Sequence, residues 1–169
     1  MKILKTIKDI DFGFEDSTPQ VYIERETARG IIFDDSNNVA LLYSIKKDYY
    51  TLPGGGIEEG ESVIQALHRE MIEEIGCKIT DIKEVGSVEE YRNNEALHQI
   101  SHCFIARLAG DKGEPQPTEE EILEDFNPVW MPIDEAIKKI GSKENEGFRR
   151  GKYMVARNLV FLNEAKKYL

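Results

Sequence analysis

Three glutamates, Glu70, Glu73 and Glu74, stand at i, i+3 and i+4 in the run GGIEEGESVIQALHREMIEEIGC from Gly55 to Cys77. On a helix that spacing places their side chains on one face. Like charges so placed oppose folding unless something positive binds among them. A divalent cation meets that need, and phosphate chemistry is the usual reason to hold one this way. In the same run Ile64, Leu67, Met71 and Ile75 recur at helical spacing and predict a helix over 62–75 with a core-facing stripe. The carboxylates fall on the arc beside that stripe. Ser62 is placed to cap the start, and Gly76 is suited to end the helix. The competing reading is a solvated face on which Arg69 pairs with Glu73 at i+4.

Around this helix the chain alternates between strand and helix patterns. Residues 20–33 and 39–45 predict strands joined by the turn DDSNN, a hairpin. Arg25, Thr27, Arg29 and Ile31 share one face of the first. A short strand is expected at 50–52, longer ones at 81–92 and 98–108, and another short one at 128–132. Helices are expected at 133–140 and 152–168, with a hinge-like loop before the last. Residues 1–18 read as a strand or an arm. Interleaved helices and hairpin-linked strands imply an α/β fold with a mixed sheet. A length of 169 residues without repeats or a low-complexity linker implies one domain, 1–169.

A net charge of −10 argues against a broad nucleic-acid-binding surface. It would argue against phosphorylated substrates too, were it not that bound metal supplies positive charge. No apolar run approaches the roughly 18 residues of a membrane span. MKILKTIKDID lacks the apolar core of a secretory signal. Cys77 and Cys103 are expected to be reduced thiols, which fits a cytoplasmic location.

The run from Gly55 to Cys77 resembles the Nudix box, G-x5-E-x7-R-E-U-x-E-E-x-G-U, where U is a bulky apolar residue. Gly55, Glu61, Arg69, Glu70, Met71, Glu73, Glu74 and Gly76 fill its positions, and Cys77 stands where Ile, Leu or Val is commoner. A looser likeness runs from about 20 to 140 and includes the late W-x-P-x-D-E-A segment at Trp130. The resemblance implies an α/β/α sandwich around a mixed β-sheet, with the box as loop-helix-loop. It implies a metal-dependent hydrolase, using Mg2+ or Mn2+, that cuts the diphosphate linkage of a nucleoside diphosphate joined to another moiety. Nucleoside triphosphates, oxidised nucleotides, ADP-ribose, nucleotide sugars and dinucleotides are all within that class. Glu70, Glu73 and Glu74 would bind metal with the carbonyl of Gly55, and Glu70 would also orient or deprotonate water. Arg69 would hold the glutamates in position, and Glu61 would be largely structural. A carboxylate outside the box, Glu120 or Glu124 and preferably Glu124, would complete the site. Many relatives are dimers, so a homodimer is compatible with the resemblance. The rival reading is a non-catalytic nucleotide-binding regulatory module on the same fold, which usually goes with a degraded box.

Other residues carry weaker signals. Arg25 and Arg29 suit bidentate phosphate contact, although a surface strand charge is at least as common a role. His98 and His102 share a strand face, where packing is the usual role. Trp130 and Tyr50 have rings that can stack on a base, with core packing favoured for Trp130. LPGGGIEEG is not a phosphate loop of the G-K-[ST] kind.

Overall fold

A computed structural model describes residues 1–15, 17–117, 122, 125–142 and 148–168. Its strands are β1 (Ile3–Lys8), β2 (Ile23–Phe33), β3 (Asn38–Ser44), β4 (Tyr49–Thr51), β5 (Lys78–Arg92), β6 (Leu97–Ala109) and β7 (Phe126–Pro132). The helices are α1 (Val63–Ile75), α2 (Ile133–Ile140) and α3 (Arg149–Ala165). The sheet is mixed, in the order β1-β5-β6-β2-β3-β4, with β7 paired to β3. β1 runs parallel to β5 and β2 parallel to β6, while β5–β6, β3–β4 and β3–β7 are antiparallel.

Alternation along β2 sets the layers. Ile31 and Phe33 enter one apolar cluster with Tyr153, Phe161 and Leu162 of α3. Ala28 and Ile32 enter the other with Leu67, Met71 and Ile75 of α1. Side chains one residue apart on a strand point to opposite faces, so α1 covers one face and α2 and α3 the other. Each fully buried Phe or Leu in these clusters contributes roughly 1.5–3 kcal/mol. The result is an α/β/α sandwich around a mixed sheet.

α1 starts and stops where its sequence directs. Ser62 Oγ accepts from the Gln65 N–H at 3.3 Å, and Gln65 Oε1 accepts from the Ser62 N–H at 2.9 Å. Gly76 ends the helix at φ +65°, and the Cys77 N–H reaches back to the Met71 carbonyl at 3.0 Å. The core stripe is Ala66, Leu67, Met71 and Ile75. Ile64, expected in it, is exposed, and Val63 packs against the cluster at the first turn instead.

Two strand expectations change. β2 and β3 do not form a regular hairpin: they share one register pair, Phe33 and Val39. β2 instead turns its free edge to residues 53–57. The N-terminal segment is both alternatives, a strand followed by a 3-10 turn at Asp9–Phe12. Asp9, fully buried, accepts from Tyr153 Oη at 2.9 Å, Arg149 Nη2 at 2.6 Å and the Asn93 N–H at 2.9 Å, tying the start of the chain to α3. Both cysteines are buried and unbridged. No helix among the described residues is long and apolar enough to cross a membrane.

Candidate active site

The glycine run lets a loop lie flat on β2. The Ala28 N–H donates to the Gly55 carbonyl at 3.0 Å, Gly30 N–H to Pro53 at 3.0 Å, and Ile57 N–H to Glu26 at 3.1 Å. Gly54 has φ +125°, and a Cβ there would sit 2.1 Å from the Ala28 carbonyl oxygen. No other residue fits. A Cβ on Gly55 would lie 2.4 Å from Glu70 Oε1, so the bare backbone makes a cradle for that carboxylate.

Arg69 is the hub of the acidic face. Its guanidinium donates to both Glu61 oxygens at 3.0 Å, to Glu70 Oε1 at 2.8 Å, to Glu73 Oε2 at 3.0 Å and to the Gly56 carbonyl at 2.8 Å. One arginine thus spaces three carboxylates and pins them to the glycine loop. Burial pushes the Glu70 carboxyl above its ordinary range, against the opposing pull of Arg69. Glu61 is held below its range, chiefly by its hydrogen bond from Arg69. Glu74 lies outside the hub and accepts the Gly54 N–H.

Among the described residues, no three acidic, histidine or cysteine side chains already converge as a metal cage. Glu70 and Glu73 turn to Arg69, while Glu74 turns to Gly54. The donor chemistry nevertheless fits a hard divalent ion. Three carboxylates and a loop carbonyl are all oxygen donors, and the Gly55 cradle brings Glu70 against that loop.

Beside these groups lies a cleft of about 400 Å3 whose walls include Arg25, Arg29, Gly54, Gly55 and Glu74. The two strand arginines singled out by sequence therefore meet the glycine loop and one box glutamate. Arg29 also donates to the Gly54 carbonyl. A larger hollow of about 570 Å3 shares Arg25, but Glu24, Glu26 and Glu61 line it, so it suits an anionic ligand less. Glu120 and Glu124 lie outside the described residues.

Sequence reasoning missed Arg92, Arg150 and Arg157, which also line the cleft, and Glu90 beneath them. Glu90 is fully buried and accepts from Arg92 Nε at 2.9 Å and Arg157 Nη1 at 3.0 Å. A signal existed: Glu90 and Arg92 are two apart on a strand, hence on one face. Arg157, in a helix read for its apolar residues, gave none.

The histidines are bound to carboxylates away from the cleft. His98 lies between Glu24, at 2.5 Å, and Glu89, at 2.9 Å, and stacks on Tyr91. His102 pairs with Glu26 at 2.7 Å. Burial opposes protonation of His98, but the Glu89 and Glu24 hydrogen bonds outweigh it and raise its pKa. A raised folded-state pKa gives stability that is fully present below the unfolded value of about 6.5 and is lost as pH rises through the folded value. Urea unfolding of wild type and His98→Gln across pH 5.5–8.5 is expected to show a steeper decline in wild type; parallel curves would exclude the coupling. Trp130 packs at the edge of the α1 cluster with Lys112 Nζ 4.0 Å from its ring centroid. Tyr50 stacks on Tyr43 at 4.7 Å. Neither ring lines the cleft.

The mixed-sheet sandwich is shared with solved structures. The structure of a NUDIX hydrolase from Nitrosomonas europaea superposes with a TM-score of 0.62 at 19% identity, over 86% of this chain and 88% of that one. The family model described as NUDIX domain matches residues 24–151, and the chain belongs to that family. An RNA pyrophosphohydrolase of Ruthia magnifica subsp. Calyptogena magnifica is 44% identical over 124 residues, 63% of this chain and 69% of that protein. A nucleoside triphosphate pyrophosphatase/Nudix hydrolase fusion protein of Bifidobacterium longum is 31% identical over 93 residues, 55% of this chain but 18% of its own length.

Proposed function

We propose that this chain is a pyrophosphohydrolase that cleaves the diphosphate linkage of a small nucleotide-like substrate. The observation that carries this reading is the Arg69 hub: one guanidinium arrays Glu61, Glu70 and Glu73 against the glycine loop, beside a cleft that also receives Glu74. Glu70, Glu73, Glu74 and the Gly55 carbonyl would hold the metal. A divalent cation such as Mg2+ or Mn2+, when bound, neutralises charge on the phosphates and makes bound water a better nucleophile.

The chain's own residues do the rest. Arg69 keeps the glutamates spaced. A box glutamate accepts a proton from the attacking water, and the buried setting of Glu70 suits it to that step. Arg25 and Arg29 orient the substrate phosphates through planar two-pronged contacts. An intact box favours turnover over a purely regulatory role.

The test is a turnover screen at mildly alkaline pH, with Mg2+ or Mn2+ and with EDTA. The panel holds nucleoside triphosphates, 8-oxo-dGTP, ADP-ribose, nucleotide sugars and dinucleoside polyphosphates. Cleavage that requires the metal is the expected result, and the product pair locates the attacked bond. Metal binding without turnover of any of these would overturn the enzymatic reading.

A further inference from the structure

The cleft concentrates positive charge in a chain whose net charge is −10. Five arginines and Lys47 line it against a single lining carboxylate, Glu74, among the described residues. Arg92 and Arg157 are 5% and 4% exposed and share the one charge of Glu90. Glu95 Oε2, 3.9 Å from Arg92 Nη1 and 3.6 Å from Arg150 Nε, is shared by two more of these groups, so guanidinium groups still outnumber carboxylates at this end of the cleft. The Arg25 guanidinium, unlike its ladder-paired backbone, makes no hydrogen bond or ion pair with any described residue. Burial and then repulsion from Arg29, Arg150 and Arg92 depress the Arg25 guanidinium, a sign that these cations face one another. Burial pushes Arg157 down to about 9.

Arg29 and Glu74 bond to Gly54 of the glycine loop, where the scissile diphosphate would lie, whereas Arg92, Arg150 and Arg157 bond to Glu90 and Glu95 instead. These arginines do not come from the same layer: Arg92 stands on β5, and Arg150 and Arg157 on α3, which covers the sheet face opposite α1. Resting on the pyrophosphohydrolase reading, we propose that Arg25, Arg92, Arg150 and Arg157 form a second anion subsite, and that the substrate carries at least one phosphate beyond the scissile diphosphate. A nucleoside triphosphate has that extra phosphate. ADP-ribose and a nucleotide sugar do not.

Two measurements decide it. The first is calorimetric binding of inorganic tripolyphosphate and pyrophosphate in EDTA, which keeps metal out of the readout. Wild type is expected to bind tripolyphosphate roughly tenfold tighter, and Arg25→Met/Arg150→Met to lose most of that margin. Both substituted residues are at the surface, so the fold is retained. Equal affinity for the two anions would overturn the subsite. The second is kcat/KM with Mg2+ for ATP against ADP-ribose and UDP-glucose. A preference for ATP that shrinks in the double variant is the expected result. Metal-dependent turnover that favours the diphosphate-linked sugars would refute the subsite and leave the pyrophosphohydrolase reading standing. Tripolyphosphate preference without turnover of any substrate would do the reverse.

Discussion

Glu74→Gln is expected to lower kcat/KM by roughly 100-fold or more while leaving the fold in place. The exchange keeps the length of the side chain and has little effect on helix propensity. The glutamine carbonyl oxygen can still accept the Gly54 N–H, so the loop keeps its anchor. What disappears is one negative charge facing the cleft, where the metal and the substrate phosphates would meet. Unlike Glu70 and Glu73, Glu74 shares no bond with Arg69, so its loss does not unbalance the hub. Circular dichroism and steady-state rates on the best substrate of the screen are the measurements. A variant with native spectrum and native rate would sink the assignment of Glu74 to the metal set.

Glu90→Ala is expected to destabilise the protein by about 3–5 kcal/mol, the range for breaking a buried ion pair by removing one partner. Glu90 is fully buried, and burial raises its pKa less than Arg157 and Arg92 lower it, so it stays ionised. Deleting it leaves two buried guanidinium groups with only the partly exposed Glu95, 3.9 Å from Arg92 Nη1, as counter-charge. Equilibrium urea unfolding gives the value, and Glu90→Gln, which keeps the side-chain volume but loses the charge and replaces one accepting oxygen with a donor, separates packing from ion pairing. A loss below about 1 kcal/mol would mean that water reaches these arginines.

Local signals made much of this legible. Ser62, the apolar spacing and Gly76 are all short-range features, and they set α1 to within a residue of its expected limits. The Gly55 to Cys77 pattern named the glutamates and Arg69 because its spacing is chemistry written along one helix. The hairpin of β2 and β3 forms at its expected turn but stays short because competition for the β2 edge is not local: the loop at 53–57, some 25 residues on, takes most of it. Ile64 failed because it lies at the edge of the buried arc, whose first-turn position is filled by Val63. Arg25 and Arg29 were visible as one strand face suited to lining a substrate cleft, and both line it. Arg92, Arg150 and Arg157 reach the cleft only through the docking of β5 and α3, and no spacing in the chain encodes that.

The segment that carries the family pattern ends at residue 151, but the charge accounting of the fold does not. Asp9 stands before that segment, and Tyr153 and Arg157 follow it. Glu90 and Arg149 inside that segment therefore depend on Arg157 and Asp9 outside it. Trimming to the recognised boundaries would strip Glu90 of one of its two arginines and take away the α3 side chains that pack on the sheet. The smallest piece of this chain able to satisfy its own buried charges is longer than the piece by which its ancestry is recognised.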